Sequence, residues 1–378
     1  MSIQATKLSV LVQIVPRLHP AIDGLGDYAL NLARQLRQDF GIETHFLVGD
    51  PTWTGNSEIK GFPISQVSER SANILLSLLP SGKCTVLLHY VGYGYATRGC
   101  PFWLVNGLHR WRTASANHYL VTMFHEVYAS GSPWTSAFWL SPWQRKLAAR
   151  LARLSDKALT TNQIIAQILD QRILDKPTPT PILPVFSNIG EPKQLLPLAE
   201  RPRQLIVFGT AGIRRRVYQE SLTSLNQICD QLAIERIYDV GLPLGLDISH
   251  VNGIPVVATG KIGAAAVSTL LSNAVAGFLD YPTHLLAKST IFAAYCAHRL
   301  IPVVATTSTI FQIDGLEAGK HYWLAGSPAG KLSLATGQAI ADNAHCWYQT
   351  HNLSIQAQSF ATYLSQKKTT ERVQKHYY

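Results

Sequence analysis

Residues 279–304 read LDYPTHLLAKSTIFAAYCAHRLIPVV. Val275 to Leu279 is short, apolar and β-compatible, and Tyr281-Pro282 ends it. From Lys288 to His298 the residues Ile291, Phe292, Tyr295 and Cys296 recur at helical spacing, and Ile301 to Ala305 is again strand-like. The stretch therefore predicts strand, loop, helix, strand, the repeating unit of an α/β sheet. Lys288-Ser289-Thr290 opens the helix. The free N–H groups and positive dipole end of a helix start favour an anion, so a Lys with two hydroxyls there is a candidate phosphate seat. The plainer reading makes Ser289 an N-cap and Lys288 a solvated charge.

The same grammar extends outward. Gln204 to Phe208 predicts a strand that ends in Gly209-Thr210-Ala211-Gly212-Ile213, followed by Arg214-Arg215-Arg216. Guanidinium groups present paired donors to phosphate oxygens, so three arginines just past a strand end suit a diphosphate, unless they are simply an exposed loop run. A helix from Tyr218 to Leu232, strands at Ile237 to Val240 and Val256 to Thr259, and a segment Ile262 to Ser272 lead into the opening stretch.

The amino-terminal half follows a parallel course. Leu8 to Val15 is a β-branched run of the kind buried in a parallel sheet. After it come Asp23-Gly24-Leu25-Gly26 and a helix whose Tyr28, Leu32, Ala33 and Leu36 share a face. A glycine turn between strand and helix lets backbone approach a ligand. It lacks the third glycine and the ribose acid of a dinucleotide fingerprint, which sets NAD aside. Further strands are expected at Thr44 to Val48, Cys84 to His89, Tyr119 to Phe124 and Ala158 to Thr161, with helices at Ser71 to Leu79, Leu104 to Trp111, Trp139 to Leu154 and Gln163 to Leu169. Strand ends in such sheets face the ligand crevice, which singles out His89, Tyr90, Gly92, Tyr93 and Gly94, and His125-Glu126 after the fourth strand. Trp139 to Leu154 carries Arg145, Lys146, Arg150 and Arg153 against an apolar face. This is a solvated helix face or a membrane-surface helix.

The proline-rich run Lys176 to Pro184 cannot continue a helix and marks the linker. Two α/β domains are expected, residues 1–184 and 185–342, with residues 343–378 as a final helix and tail. The formal net charge of +10 over 378 residues, with a pI near 9.4, favours an anionic partner. The basic residues are dispersed among loops and one helix, so no nucleic-acid partner is expected. The five cysteines have no paired CxxC spacing, which indicates neither a zinc site nor a disulfide framework. No secretory leader is read at the amino terminus and no run reaches a membrane-spanning length, so the protein is expected in the cytoplasm.

Together, Asp23-Gly24-Leu25-Gly26-Asp27-Tyr28, the HYVGYGY strand end, Phe124-His125-Glu126, the hinge VFSNI at Val185 to Ile189 and the carboxyl-terminal half resemble the GT-B glycosyltransferases, most nearly those around glycosyltransferase family 4. The resemblance implies two Rossmann-like α/β domains facing across a cleft. It also implies a nucleoside-diphosphate sugar on the second domain, an acceptor on the first, and a last helix, within Asn343 to Leu364, crossing back. Carried over residue by residue, the resemblance implies Gly24 and Gly26 beneath the donor phosphates and sugar, His125 on the transferred sugar and the arginines after Gly209 on the diphosphate. Together with the strand-end and helix-start readings above, His125, Arg215 and Lys288 are the expected catalytic residues. Gly24, Gly26, Gly209, Arg214, Arg216, Ser289 and Thr290 are the expected donor and phosphate contacts, and Asp27, His89, Tyr93 and Glu126 the acceptor and sugar contacts. The chain departs from the family between Asp280 and Ala305, where the only acid is Asp280 and the usual pair of glutamates is missing.

The activity implied is hexosyl transfer from the donor to an acceptor hydroxyl on a glycan, lipid or small molecule. The nucleotide sugar is a co-substrate, and no cofactor is expected. Without a DxD-like acid pair near a strand end, no metal is expected either. Peripheral association with an anionic membrane accompanies this reading. A non-catalytic GT-B-like nucleotide or glycan binder is the alternative, and a GT-B-shaped sugar-nucleotide epimerase ranks below both because acids near the site are few.

Overall fold

The structure is a computed structural model that describes residues 11–21, 23–129, 131–171, 179–307, 312–326 and 330–365. It divides into two compact units, one of Met1–Ala158 with Ala357–Tyr378 and one of Leu159–Gln356.

The first unit is built on strands β1 (Leu11–Val15), β2 (Thr44–Val48), β3 (Glu58–Ile59), β4 (Phe62–Gln66), β5 (Cys84–Tyr90), β6 (His118–Phe124) and β7 (Lys157–Thr160), the last straddling the division between units. Its helices are α1 (Gly24–Phe40), α2 (Ala72–Leu78), α3 (Gly92–Tyr95), α4 (Phe102–Ala114) and α5 (Ser136–Leu154). Every residue of β1 and β5 is buried, as an apolar strand inside a parallel sheet must be. Helix α1 starts where the Asp23 side chain accepts from Leu25 N and stops at Gly41, whose φ of 63° suits the left-handed cap.

The second unit carries α6 (Gln163–Leu169), then strands β8 (Gln204–Phe208), β9 (Arg236–Val240), β10 (His250–Val251), β11 (Ile254–Gly260), β12 (Ala276–Asp280), β13 (Ile301–Ala305), β14 (Gln312–Ile313), β15 (Leu316–Glu317) and β16 (Trp323–Leu324). Its further helices are α7 (Ala211–Gln219), α8 (Leu222–Leu232), α9 (Ala264–Asn273), α10 (Thr290–Ala297), α11 (Leu334–Gln349) and the start of α12 (Leu353–Leu364). From Ala357 on, α12 belongs to the first unit.

Each unit has a seven-stranded sheet, in the orders β3-β4-β2-β1-β5-β6-β7 and β10-β11-β9-β8-β12-β13-β16. With the antiparallel edge strands β3 and β10 set aside, chain order across both sheets is 3-2-1-4-5-6, the doubly wound order. The order reverses between β1 and β5 in one sheet and between β8 and β12 in the other. Helices leave on opposite faces at that point, and ligands of open α/β sheets bind beyond the strands' carboxyl ends there. A buried tyrosine spans each reversal. The Tyr95 hydroxyl reaches the carbonyls of Ile14 and His89 at 3.0 and 2.9 Å, and the Tyr295 hydroxyl those of Ile206 and Phe278 at 3.3 and 3.2 Å.

The two edge hairpins are also copies of one device. Ser57-Glu58-Ile59-Lys60-Gly61-Phe62-Pro63-Ile64 and Ser249-His250-Val251-Asn252-Gly253-Ile254-Pro255-Val256 share register, and Ile64 N and Val256 N donate to Ser57 O and Ser249 O at 2.8 and 2.9 Å. Both turns place two residues at positive φ, Lys60-Gly61 and Asn252-Gly253, as a two-residue hairpin of matching twist requires.

Three boundaries differ from the sequence expectation. The division falls at Ala158/Leu159 and not near residue 184, because Thr160 N donates to Pro181 O, Leu183 N to Thr160 O and Gln163 N to Asp314, all within the second unit. The helix expected over Tyr218 to Leu232 is two helices, broken at Glu220-Ser221. There both backbone N–H groups return to Arg216 O and the Ser221 hydroxyl is drawn to Asp280. The expected last helix is likewise α11 and α12. Residues 8–10, part of the first expected strand, and 176–178 of the expected linker lie outside the described residues.

Candidate functional site

At the reversal of the second sheet, β8 runs into Gly209, whose φ is +133°. A Cβ on Gly209 would lie 2.4 Å from Ile291 Cδ1, so glycine lets the end of β8 touch the first turn of α10. Tyr295 seats that helix against Gly277 of β12, where a Cβ would strike its ring at 2.6 Å. The chain thus sets Gly209 against Ile291, one residue into the helix that Ser289 and Thr290 open. Helix α7 begins at the same strand end. Thr210 takes its N-cap position without a side-chain cap, so the first N–H groups of α7 are left for another acceptor.

The three arginines do not act as one cluster. They lie in α7, not in a loop, and successive helical residues point about 100° apart. Arg214 is 0% exposed. Its Nε donates to Gly209 O at 3.0 Å, and its Nη atoms reach Asp239 and Leu242 O. It holds the two strand-end loops and has no face to offer a phosphate, which corrects its expected role as a donor contact. Arg216 Nη2 donates to Asp280 O at 2.9 Å and its Nε to Asp280 Oδ1 at 3.2 Å, while Ser221 Oγ reaches Oδ2 at 2.6 Å. Arg216 is thus committed to the end of β12. Only Arg215 stands exposed, steadied by Leu244 O at 2.9 Å.

Ser289 follows the plainer reading: it is buried, and its hydroxyl accepts from Phe292 N at 3.2 Å as the N-cap of α10. Thr290 is the first helical residue. Lys288, half-buried, ends a 3-10 turn, Thr283–Lys288.

In the first unit, Gly24 and Gly26 form the first turn of α1 and not a loop before it. A Cβ on Gly26 would sit 2.4 Å from Arg17 O, so backbone packing by itself requires this glycine. Asp27 and Glu126 are exposed. Tyr93 is turned to α5, where its hydroxyl accepts from Gln144 Nε2 at 3.2 Å.

His89 and His125 meet, with His89 Nδ1 and His125 Nε2 3.3 Å apart. His89 Nε2 is 3.1 Å from Gln13 Oε1, and Gln13 Nε2 is 3.5 Å from Thr44 Oγ1. Gln13 offers its carbonyl oxygen to His89, so His89 carries its proton on Nε2 and accepts at Nδ1, which requires His125 to carry its proton on Nε2. Tyr28 of α1 packs its edge on both imidazoles, at 5.8 and 5.4 Å between centroids. Burial pushes His89 down to about 3, so His89 is neutral, and burial pushes the Tyr28 phenol upward. Gln13 and Tyr28 are the side chains against the histidine pair that site reasoning on the sequence missed. The available signal was a lone amide interrupting the apolar run of β1.

No group of three or more His, Cys, Asp or Glu among the described residues is arranged to hold a metal ion. No helix among them is long and apolar enough to cross a membrane.

This architecture, with its two sheet reversals, is shared with solved structures. An α,α-trehalose-phosphate synthase (UDP-forming) from Burkholderia xenovorans, in complex with glucose-6-phosphate, superposes with a TM-score of 0.61 at 11% identity, over 94% of this chain and 100% of that one. WaaG, a glycosyltransferase involved in lipopolysaccharide biosynthesis, gives 0.58 at 13% identity, over 95% and 100%.

The fold is GT-B.

An α-glucosyltransferase in complex with UDP-glucose and DNA containing an abasic site shares this GT-B fold with a TM-score of 0.54 at 10% identity, over 93% and 99% of the two chains. No protein-family model and no curated protein matches the sequence. The GT-B assignment therefore rests on the course of the chain, which these structures share almost end to end.

Proposed function

We propose that the protein is a cytoplasmic, metal-independent glycosyltransferase that moves a hexose from a nucleoside-diphosphate sugar to an acceptor hydroxyl on a glycan, lipid or small molecule. The observation that carries this reading is at the β8/β12 reversal, where a helix start without a side-chain cap and a second helix start touching Gly209 lie together; the exposed Arg215 belongs to the first of these helices, with its guanidinium beside Leu244 O. Both helix starts present N–H groups and positive dipole ends, the environment that holds a diphosphate.

In this reading the leaving diphosphate gains negative charge as the glycosidic bond breaks. Arg215, Lys288 and the N–H groups of α7 and α10 stabilise that charge, each preorganised donor contributing on the order of a few kcal/mol. His125, fixed in one tautomer by His89 and Gln13, contacts the transferred sugar, and Asp27, Glu126 and Tyr93 contribute to acceptor binding. Among the structures of like fold, one is named for its complex with UDP-glucose and another for its complex with glucose-6-phosphate, which supports a sugar-nucleotide chemistry here.

Thermal-shift measurements with UDP-, GDP-, ADP- and dTDP-linked sugars test the reading, since a ligand of the folded state raises the melting temperature. One nucleotide series should stabilise the wild-type protein and stabilise Lys288→Ala much less. Equal stabilisation of both proteins would remove Lys288 from the donor site, and binding without any turnover would leave a nucleotide or glycan binder.

A further inference from the structure

Helix α5 turns Ser141, Gln144, Leu147, Ala148, Leu151 and Ala152 inward. Its opposite face carries Trp139, Trp143, Lys146, Arg150 and Arg153, spaced four, three, four and three residues apart and therefore in one stripe. All five are exposed. Trp139 and Trp143 are 69% and 50% exposed, and Trp134, just before the helix, is 85% exposed. Phe138 packs edge-on to Trp139 and Phe102 of α4 to Trp143, both outward as well, so the patch is continuous. Neither α4 nor α5 contains an acidic residue.

Three details separate this face from an ordinary solvated helix. The indole N–H of Trp139 donates to Pro133 O at 2.8 Å, so the ring is fixed outward and can leave water with its donor already paired. The stripe is also ordered, with aromatics on the amino-terminal half and cations on the carboxyl-terminal half, joined where Lys146 Nζ stands 4.9 Å from the Trp143 ring. Finally, the polar part of the face is of a single sign. Indole rings settle at the boundary between headgroups and acyl chains, and lysine and arginine in one row beside them complement anionic headgroups.

We infer that α5, with Trp134 and Phe102, docks the first unit on an anionic lipid bilayer, tryptophans at the acyl boundary and Lys146, Arg150 and Arg153 among the headgroups. The inference goes beyond the transferase reading and does not depend on it.

Co-sedimentation of the full chain with vesicles of phosphatidylcholine alone or mixed with phosphatidylglycerol tests it. Wild-type protein should bind the mixed vesicles, less so as salt is raised, and bind phosphatidylcholine weakly. Trp139→Ser/Trp143→Ser should weaken partition about tenfold or more, and Lys146→Gln/Arg150→Gln/Arg153→Gln should abolish the preference for phosphatidylglycerol. Both variants should keep the wild-type melting temperature and its shift with nucleotide, which distinguishes failure of docking from failure of the donor site. Absence of vesicle binding overturns the inference, as does binding that both variants retain. A wild-type dimer that the tryptophan variant converts to monomer would also overturn it, by assigning the face to a second copy of the chain.

Discussion

Replacing Arg214 and Arg215, neighbours in sequence, should separate architecture from ligand binding. Arg214→Ala removes a fully buried guanidinium and leaves the Asp239 carboxylate and the carbonyls of Gly209 and Leu242 without their donor. Breaking a buried pair from one side costs about 3–5 kcal/mol, a large share of the roughly 5–15 kcal/mol that holds a domain folded. Arg214→Lys recovers little, because one ammonium cannot reproduce a planar fork aimed at three acceptors. Arg215→Ala removes an exposed side chain bonded to one carbonyl and should stay within about 0.5 kcal/mol of wild type. Losing a charge-assisted contact to a diphosphate should instead cost about 1.5–3 kcal/mol of binding, on the order of ten- to a hundredfold in affinity. Urea unfolding followed by circular dichroism gives the first quantity, and calorimetry with UDP, GDP and ADP gives the second. The reasoning is refuted if Arg214→Ala unfolds like wild type while losing nucleotide, or if Arg215→Ala binds as wild type does.

Other positions give outcomes of different kinds. Gly26→Ala gains helix propensity yet drives a methyl against Arg17 O, so it should destabilise by about 1–3 kcal/mol in thermal unfolding. His89 is neutral in the fold, its pKa lowered from 6.5 to about 3, so the unfolded chain binds a proton that the native one does not. Stability should therefore be intact above pH 6.5 and lost as pH falls towards 3, by about 2 kcal/mol at about pH 5, and urea titrations of His89→Gln should show a correspondingly shallower acid slope. The same variant should alter the tautomer of His125, read by nitrogen NMR; an unchanged His125 signal would refute the relay.

The architecture was legible in the sequence because central parallel strands are buried on both faces and read as apolar runs, as in Ile301–Ala305 and, but for Gln13, Leu11–Val15. The edge hairpins were not, since Pro63 and Pro255 sit where proline argues against a strand. Only the matching Ser57 and Ser249 octets, once folded, show them to be equivalent. Gly209 meets Ile291, in the first turn of α10, because the end of β8 and the start of that helix lie side by side at the sheet reversal. The convergence of Arg214, Arg215 and Arg216 was not realised, because helical rotation sends adjacent side chains to different neighbours and the start of α7 carries no apolar pattern that marks it. The pairing of His89 with His125 required the register of β5 on β6, where His89 lies opposite Met123 and the chain turns two residues later.

Nucleoside diphosphate released from UDP-, GDP-, ADP- and dTDP-linked sugars, measured for the wild type and Arg215→Ala, tests the donor site most directly. One donor should be cleaved by the wild-type protein, slowly without acceptor, and at least about tenfold more slowly by Arg215→Ala. Release from none of the four, or equal release by both proteins, would contradict the assignment of the β8/β12 reversal as a nucleotide-sugar site.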